Sequence, residues 1–132
     1  MAVKKAWTVD VGASDEYVFT PANVGEDVYV AAHDGTVLRL NAKSGQVAWR
    51  IKADLPLTAG VGANASAVAV AGQKGVVFVF NSQGKLRWKT QASSEVLSSP
   101  VLSDKLVLVH SIDNRIAAYD IETGERKWIL ER

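Results

Sequence analysis

The chain has 132 residues, 48% of them hydrophobic, with no cysteine and a formal net charge of +1 at pH 7. Lysines and arginines are interspersed among acids, so no basic patch marks a nucleic-acid or anionic-membrane partner, and no apolar run approaches the roughly 18 residues of a membrane helix. Without cysteine there is no disulfide, no thiolate metal site and no cysteine-borne lipid within these residues, a composition that suits periplasm and cytosol equally.

The opening Met1-Ala2-Val3-Lys4-Lys5 leads into a strand at residues 6–10 rather than into the apolar core of a signal peptide. That strand carries Trp7, and Trp49, Trp88 and Trp128 follow at intervals of 42, 39 and 40 positions. A repeat of this length is the signature of a propeller or a solenoid. Each of the last three tryptophans stands four residues after a glycine, Gly45, Gly84 and Gly124, and the register extends upstream to Asn41, Asn81 and Asp120. The side chains of these three residues can bond the backbone two residues on and so open a turn. A second turn position in each copy holds Gly35, Gly75 and Asn114, residue types that accept the left-handed backbone of a tight hairpin.

Short runs lie between the turns. In the first copy they fall at residues 20–24, 27–32, 36–40 and 46–51; in the second at 58–62, 65–71, 76–80 and 85–89; in the third at 98–102, 105–111, 115–119 and 126–130. The middle runs of each copy are rich in valine, leucine and isoleucine, as strands are. They scarcely alternate: Val28 and Val30 oppose Tyr29 and Ala31, Leu106 and Leu108 oppose Val107 and Val109, and 76–80 is apolar throughout. A strand apolar on both faces is buried on both, and turns of hairpin length make the pairing antiparallel.

The predicted fold is therefore all-β, a propeller of four-stranded antiparallel blades. Residues 1–132 form one partial propeller, with a closing strand at 6–10 and blades at about 18–51, 57–89 and 96–130. The inner strands are small and polar enough to line a channel. The outer strands carry Trp49, Trp88 and Trp128, each indole covering the gap to the adjoining blade with its N–H on a partner such as a backbone carbonyl. Closed propellers have about four to eight blades. Three imply a piece of a larger ring, or a protomer completed by other copies, with an unsatisfied blade face at each end and self-association as the consequence.

No catalytic, cofactor-binding or metal-binding residue emerges. His33 reads as a solvated turn residue before Asp34-Gly35, and His110 as a capped core histidine closing an apolar strand. Gly60-Val61-Gly62 lacks the third glycine and the following helix of a phosphate-binding turn, and reads as an inner strand where blades converge. Lys85, Arg87 and Lys89 alternate along an outer strand and read as its solvent face. Motifs of serine hydrolases, zinc proteases and calcium loops are absent.

Asn41, Ser44-Gly45 and Trp49, with Asp120, Thr123-Gly124 and Trp128, resemble the repeat of the pyrroloquinoline-quinone-like propellers, which quinoprotein dehydrogenases share with non-enzymatic relatives. Residues 96–110 followed by Asn114-Arg115-Ile116, and Leu57-Thr58-Ala59-Gly60-Val61-Gly62-Ala63, are similar to early blades of the BamB branch of that family, from about Ala6 to Trp128. The resemblance implies an eight-bladed ring and a scaffold without enzymatic activity or cofactor. It would be lipid-anchored at the periplasmic face of the bacterial outer membrane. Its partners would be the periplasmic POTRA domains of BamA, other subunits of the β-barrel assembly machine, and unfolded outer-membrane proteins. The family's lipidated cysteine is absent from these residues, and its main BamA contacts fall after Trp128, so the resemblance assigns no partner-binding residue here.

The competing implication is a fragment of a quinoprotein dehydrogenase, with quinone and calcium over the channel. That chemistry needs carboxylate and amide ligands and aromatic or sulfur groups to sandwich the quinone. The channel runs offer serine, threonine, alanine and glycine instead. A WD-repeat scaffold would require the Trp-Asp dipeptide and a Gly-His element in each copy, which this sequence lacks.

Overall fold

A computed structural model describes residues 19–131; the predicted strand at 6–10, with Trp7, lies outside them. Among the described residues, twelve strands form three four-stranded antiparallel sheets. The first blade runs β1 (Ala22–Val24), β2 (Asp27–Ala31), β3 (Thr36–Asn41) and β4 (Val47–Lys52). The second runs β5 (Leu57–Ala63), β6 (Ala67–Gly72), β7 (Val76–Asn81) and β8 (Leu86–Gln91). The third runs β9 (Val101–Leu102), β10 (Leu106–Ser111), β11 (Arg115–Asp120) and β12 (Arg126–Glu131). Within each blade the strands pair in chain order, as an up-and-down meander requires.

The turn residues explain the meander. Asn114, where the other copies have glycine, adopts a φ of 70° between β10 and β11, a left-handed conformation that asparagine tolerates better than most residues. Between the third and fourth strands of each blade, Asn41, Asn81 and Asp120 each accept two backbone N–H groups with one side-chain oxygen: Lys43 and Ser44, Gln83 and Lys85, and Glu122 and Thr123. The pairing then slips by one residue at equivalent places, between Arg39 and Leu40, Val79 and Phe80, and Ala118 and Tyr119. Such a bulge increases local twist, and here it lies beside the tryptophan of each outer strand.

Two innermost elements differ from their predicted extents. β5 is longer than its run, whereas β9 covers only Val101–Leu102 of the predicted 98–102. Pro100 immediately precedes β9 and has no N–H to give a ladder. The second blade also starts its β6 later than residue 65, because Asn64 accepts the N–H groups of Ser66 and Ala67 and makes a turn of that stretch.

The core is layered between the sheets. Tyr29, Ala31 and Val37 of the first blade meet Val68, Val70, Phe78 and Phe80 of the second. On the other side of the second blade, Ala67, Ala69, Ala71, Val77, Val79 and Trp88 meet Val107, Val109, Ala117 and Tyr119 of the third. Every residue of β6 is buried, which is why its sequence does not alternate. The first blade also has a face turned away from the second. Val30, Leu38 and Leu40 are buried there as a third cluster, with Val28 packed against them.

Candidate functional site

The described residues gather their chemistry at the two blade junctions. Trp49 leaves the outer strand of the first blade, lies against Gly84 of the second, and donates its indole N–H to the Ser82 carbonyl at 2.8 Å. Trp88 repeats the arrangement one blade on, against Gly124 and donating to the Ile121 carbonyl at 2.9 Å. Both glycines have positive φ, 83° and 80°. A Cβ would stand 2.8 Å from the Trp49 ring at Gly84 and 2.7 Å from the Trp88 ring at Gly124. Each glycine therefore turns its own chain and floors the indole of the preceding blade. Only the turn role is legible in the spacing, because glycine and indole are partners across blades.

Each docking carbonyl accepts a second donor. Arg39 of β3 reaches the Ser82 carbonyl at 2.6 Å, while Arg87 of β8 reaches the Ile121 carbonyl at 3.3 Å and the Ser66 carbonyl at 3.2 Å. The two guanidinium groups come from different strands of different blades, and each meets the carbonyl that the tryptophan of its own junction uses. Arg39 also pairs with Asp27 at 2.8 Å and lies 5.9 Å from the centre of the Tyr29 ring. The hydrogen bond to Asp27 raises the Arg39 pKa; burial raises that of the Tyr29 phenol, against the pull of Arg39. Nothing in the repeat marks Arg39, and Arg87 departs from its predicted solvent-facing role.

Nearer the axis, His33 is corrected from a solvated turn to a tie between blades. Its Nδ1 donates to the Leu57 carbonyl at 2.8 Å, and the Leu57 N–H returns a bond to the His33 carbonyl at 2.9 Å. At the second junction Thr58 Oγ1 donates to the Val96 carbonyl at 2.8 Å. Gly60 and Gly62 let Ser99 and Pro100 approach so closely that a Cβ at either position would collide. This is the blade convergence that their sequence predicts.

A polar cluster that the sequence did not announce joins the β10–β11 turn to the connection before β9. Asp113 accepts the Ser111 and Ser93 hydroxyls, each at 2.6 Å, and its N–H donates to Ser94 Oγ at 3.1 Å. Arg115 bonds the Asp113 carboxylate at 3.2 Å and Glu131 at 3.1 Å. These contacts, Ser111 first and then Ser93, hold the Asp113 carboxyl at a pKa of about 2. The residues are separated by up to 38 positions in sequence, from Ser93 to Glu131, and only the fold assembles them.

The third blade presents an open face. Trp128, at the same repeat position, is 45% exposed where Trp88 is 9% exposed, and no glycine floor faces it among the described residues. His110 is exposed on the same side, not a core histidine. Lys85 and Lys89 are exposed as predicted. Among the described residues no group of three histidine, aspartate or glutamate side chains gathers around a point that could hold a metal ion.

A family model described as outer membrane protein assembly factor BamB matches residues 4–56 and 34–132. Outer membrane protein assembly factor BamB of Burkholderia pseudomallei is 42% identical over 96% of this chain and 33% of its own length. That of Bordetella pertussis is 39% identical over all of this chain and 34% of its own length. The chain thus spans about a third of the curated relatives it matches. Among solved structures, BamB from Moraxella catarrhalis superposes with a TM-score of 0.78 at 22% identity, over 86% of this chain and 35% of that one. A europium-containing methanol dehydrogenase superposes with a TM-score of 0.76 at 20% identity, over 96% of this chain and 26% of that one. Likeness at that identity concerns the fold alone.

Proposed function

Since the chain belongs to the BamB family of outer membrane protein assembly factors, we propose that it serves in outer-membrane protein assembly as a non-catalytic scaffold. It works at the periplasmic face of the outer membrane, within a longer lipid-anchored protein. Its partners are the POTRA domains of BamA and other subunits of the assembly machine, and it helps deliver unfolded outer-membrane proteins. The observation that carries this reading is the family match along the chain, supported by 42% identity to a BamB over nearly all of these residues.

The blade stack suits such a role physically. Interlocked tryptophans and apolar alanine–valine layers make a stiff support, and among the described residues β4, β8 and β12 each leave one edge without a strand partner. An extended polypeptide can add itself to such an edge through main-chain hydrogen bonds, which demand little of its sequence.

A quinoprotein dehydrogenase shares this fold, as the methanol dehydrogenase superposition illustrates. The inner strands here nevertheless supply Thr58, Ala59, Gly60 and Gly62 rather than carboxylate ligands or aromatic plates. Redox-active quinone recovered with the protein would favour the dehydrogenase.

Calorimetric titration of the folded chain with the periplasmic POTRA region of BamA tests the scaffold reading. Saturable binding is expected. Absence of heat from a folded sample of this chain, and again from a longer form containing it, would reject the BamA partnership.

A further inference from the structure

We propose, resting on the strand addition put forward above, that the open edge of β8 selects acidic segments. An extended polypeptide with aspartate or glutamate at neighbouring positions adds to this edge through main-chain hydrogen bonds and is held there by Arg87 and Lys89. β8 belongs to the middle blade, which has a neighbour stacked on each face within the chain, and its edge lies off both stacking faces. The pairing shows which groups the edge offers. The Ala92 N–H donates to the Gly75 carbonyl at 2.8 Å, and hydrogen-bonded pairs alternate along an antiparallel ladder. Thr90 and Trp88, opposite Val77 and Val79, therefore turn their main-chain groups to β7, whereas Lys89 and Gln91 turn theirs to the open edge.

Charge decides what fits beside those groups. β4 and β8 hold Arg50, Lys52, Arg87 and Lys89 and no acidic residue, although the chain's net charge is only +1. Lys85 stands just before β8 and is exposed. Arg87 spends its hydrogen bonds on the carbonyls of Ile121 and Ser66, neutral partners that leave its charge uncompensated. Lys89 has a carboxylate neighbour in Asp54, at 3.8 Å with both side chains more than half exposed, a pair of little worth in water. Lys89 lies opposite Phe78, on the first blade's side, and Arg87 reaches the third blade. Consecutive side chains of an added strand point to opposite sides, so one falls beside Lys89 and the next beside Arg87. Opposite charges in cross-strand positions attract and like charges repel. The same rule keeps a second copy from docking edge to edge, because two cationic strands would then meet. Leu86, 52% exposed at the start of the strand, offers an apolar residue of the same segment a contact.

Synthetic peptides of one valine–threonine strand pattern, differing only in an adjacent central pair of Glu, Gln or Lys, test the selection on the full 132-residue chain at low salt. Fluorescence anisotropy should show the Glu peptide binding about fivefold tighter than the Gln peptide. The Lys peptide should bind more weakly than both, with the spread narrowing as salt rises. Amide exchange should slow at Lys89 and Gln91 when the Glu peptide is bound. Lys89→Gln should weaken the Glu peptide by about two- to fivefold and leave the Gln peptide unaffected. Asp54→Asn, which removes the competing carboxylate, should strengthen the Glu peptide. Equal affinity for the Glu and Gln peptides with β8 protected would overturn acid selection while strand addition stands. No protection at β8 with any peptide would overturn both. Glu-peptide binding that leaves β8 unprotected, or that is indifferent to Lys89→Gln, would also overturn the proposal.

Discussion

Trp88 and Trp128 occupy the same repeat position, yet their surroundings give them different energetic weight. Trp88 is buried with its indole on Gly124, its N–H on the Ile121 carbonyl, and its ring 5.9 Å from that of Tyr119. Removing it leaves a cavity at the junction and takes from the Ile121 carbonyl the shorter of its two donors, so Trp88→Ala should cost roughly 3 to 5 kcal/mol. Trp128→Ala removes a ring that has solvent on one side, and in dilute solution should change stability by no more than about 0.5 kcal/mol. Chemical denaturation of both variants measures the contrast. Equal losses would mean that the two indoles are equally packed, contrary to the junction geometry.

The second junction carries an electrostatic device that the first does not. Asp113 in the β10–β11 turn gathers Ser111, Ser93 and Arg115, whereas the equivalent position of the second blade is Lys74, whose N–H bonds Glu95. Because the folded-state pKa of Asp113 lies near 2 against an ordinary 3.8, the folded state favours the ionised carboxylate. Its contribution to stability is complete above about pH 4 and is lost as pH falls through about 2. Asp113→Asn should therefore be less stable than the parent at neutral pH, and the gap should close on acidification across that window. Urea midpoints measured against pH decide it; a gap constant from neutral pH to pH 2 would refute the assignment.

Three stacked blades make a polarised body. β6 turns alanines toward the third blade and valines toward the first, so the second blade is sandwiched between apolar layers while the outer strands face solvent. Protection from amide exchange should accordingly be greatest in β6 and β7 and least in β12. If extended clients are held by strand addition, a peptide from an outer-membrane protein should slow exchange along the open edges of β4, β8 and β12. Unchanged exchange at those edges with bound peptide would count against strand addition.

Read alone, the amino-acid order determined the twelve strands of the described residues and their antiparallel pairing. A period near 40 with glycine or asparagine at fixed offsets leaves the chain little choice of turns. It also predicted that an indole N–H would seek a carbonyl, because a buried indole must spend its single donor. Which carbonyl, and which glycine lies beneath the ring, depended on how one blade stacks on the next. The same holds for His33 on Leu57, Arg39 on Ser82, Arg87 on Ile121, and the serines around Asp113. These contacts join residues that no local pattern relates. Spacing reports the periodicity of one chain segment, whereas the junctions are made by surfaces meeting across segments. For that reason the identical repeat position is buried at Trp88 and open at Trp128.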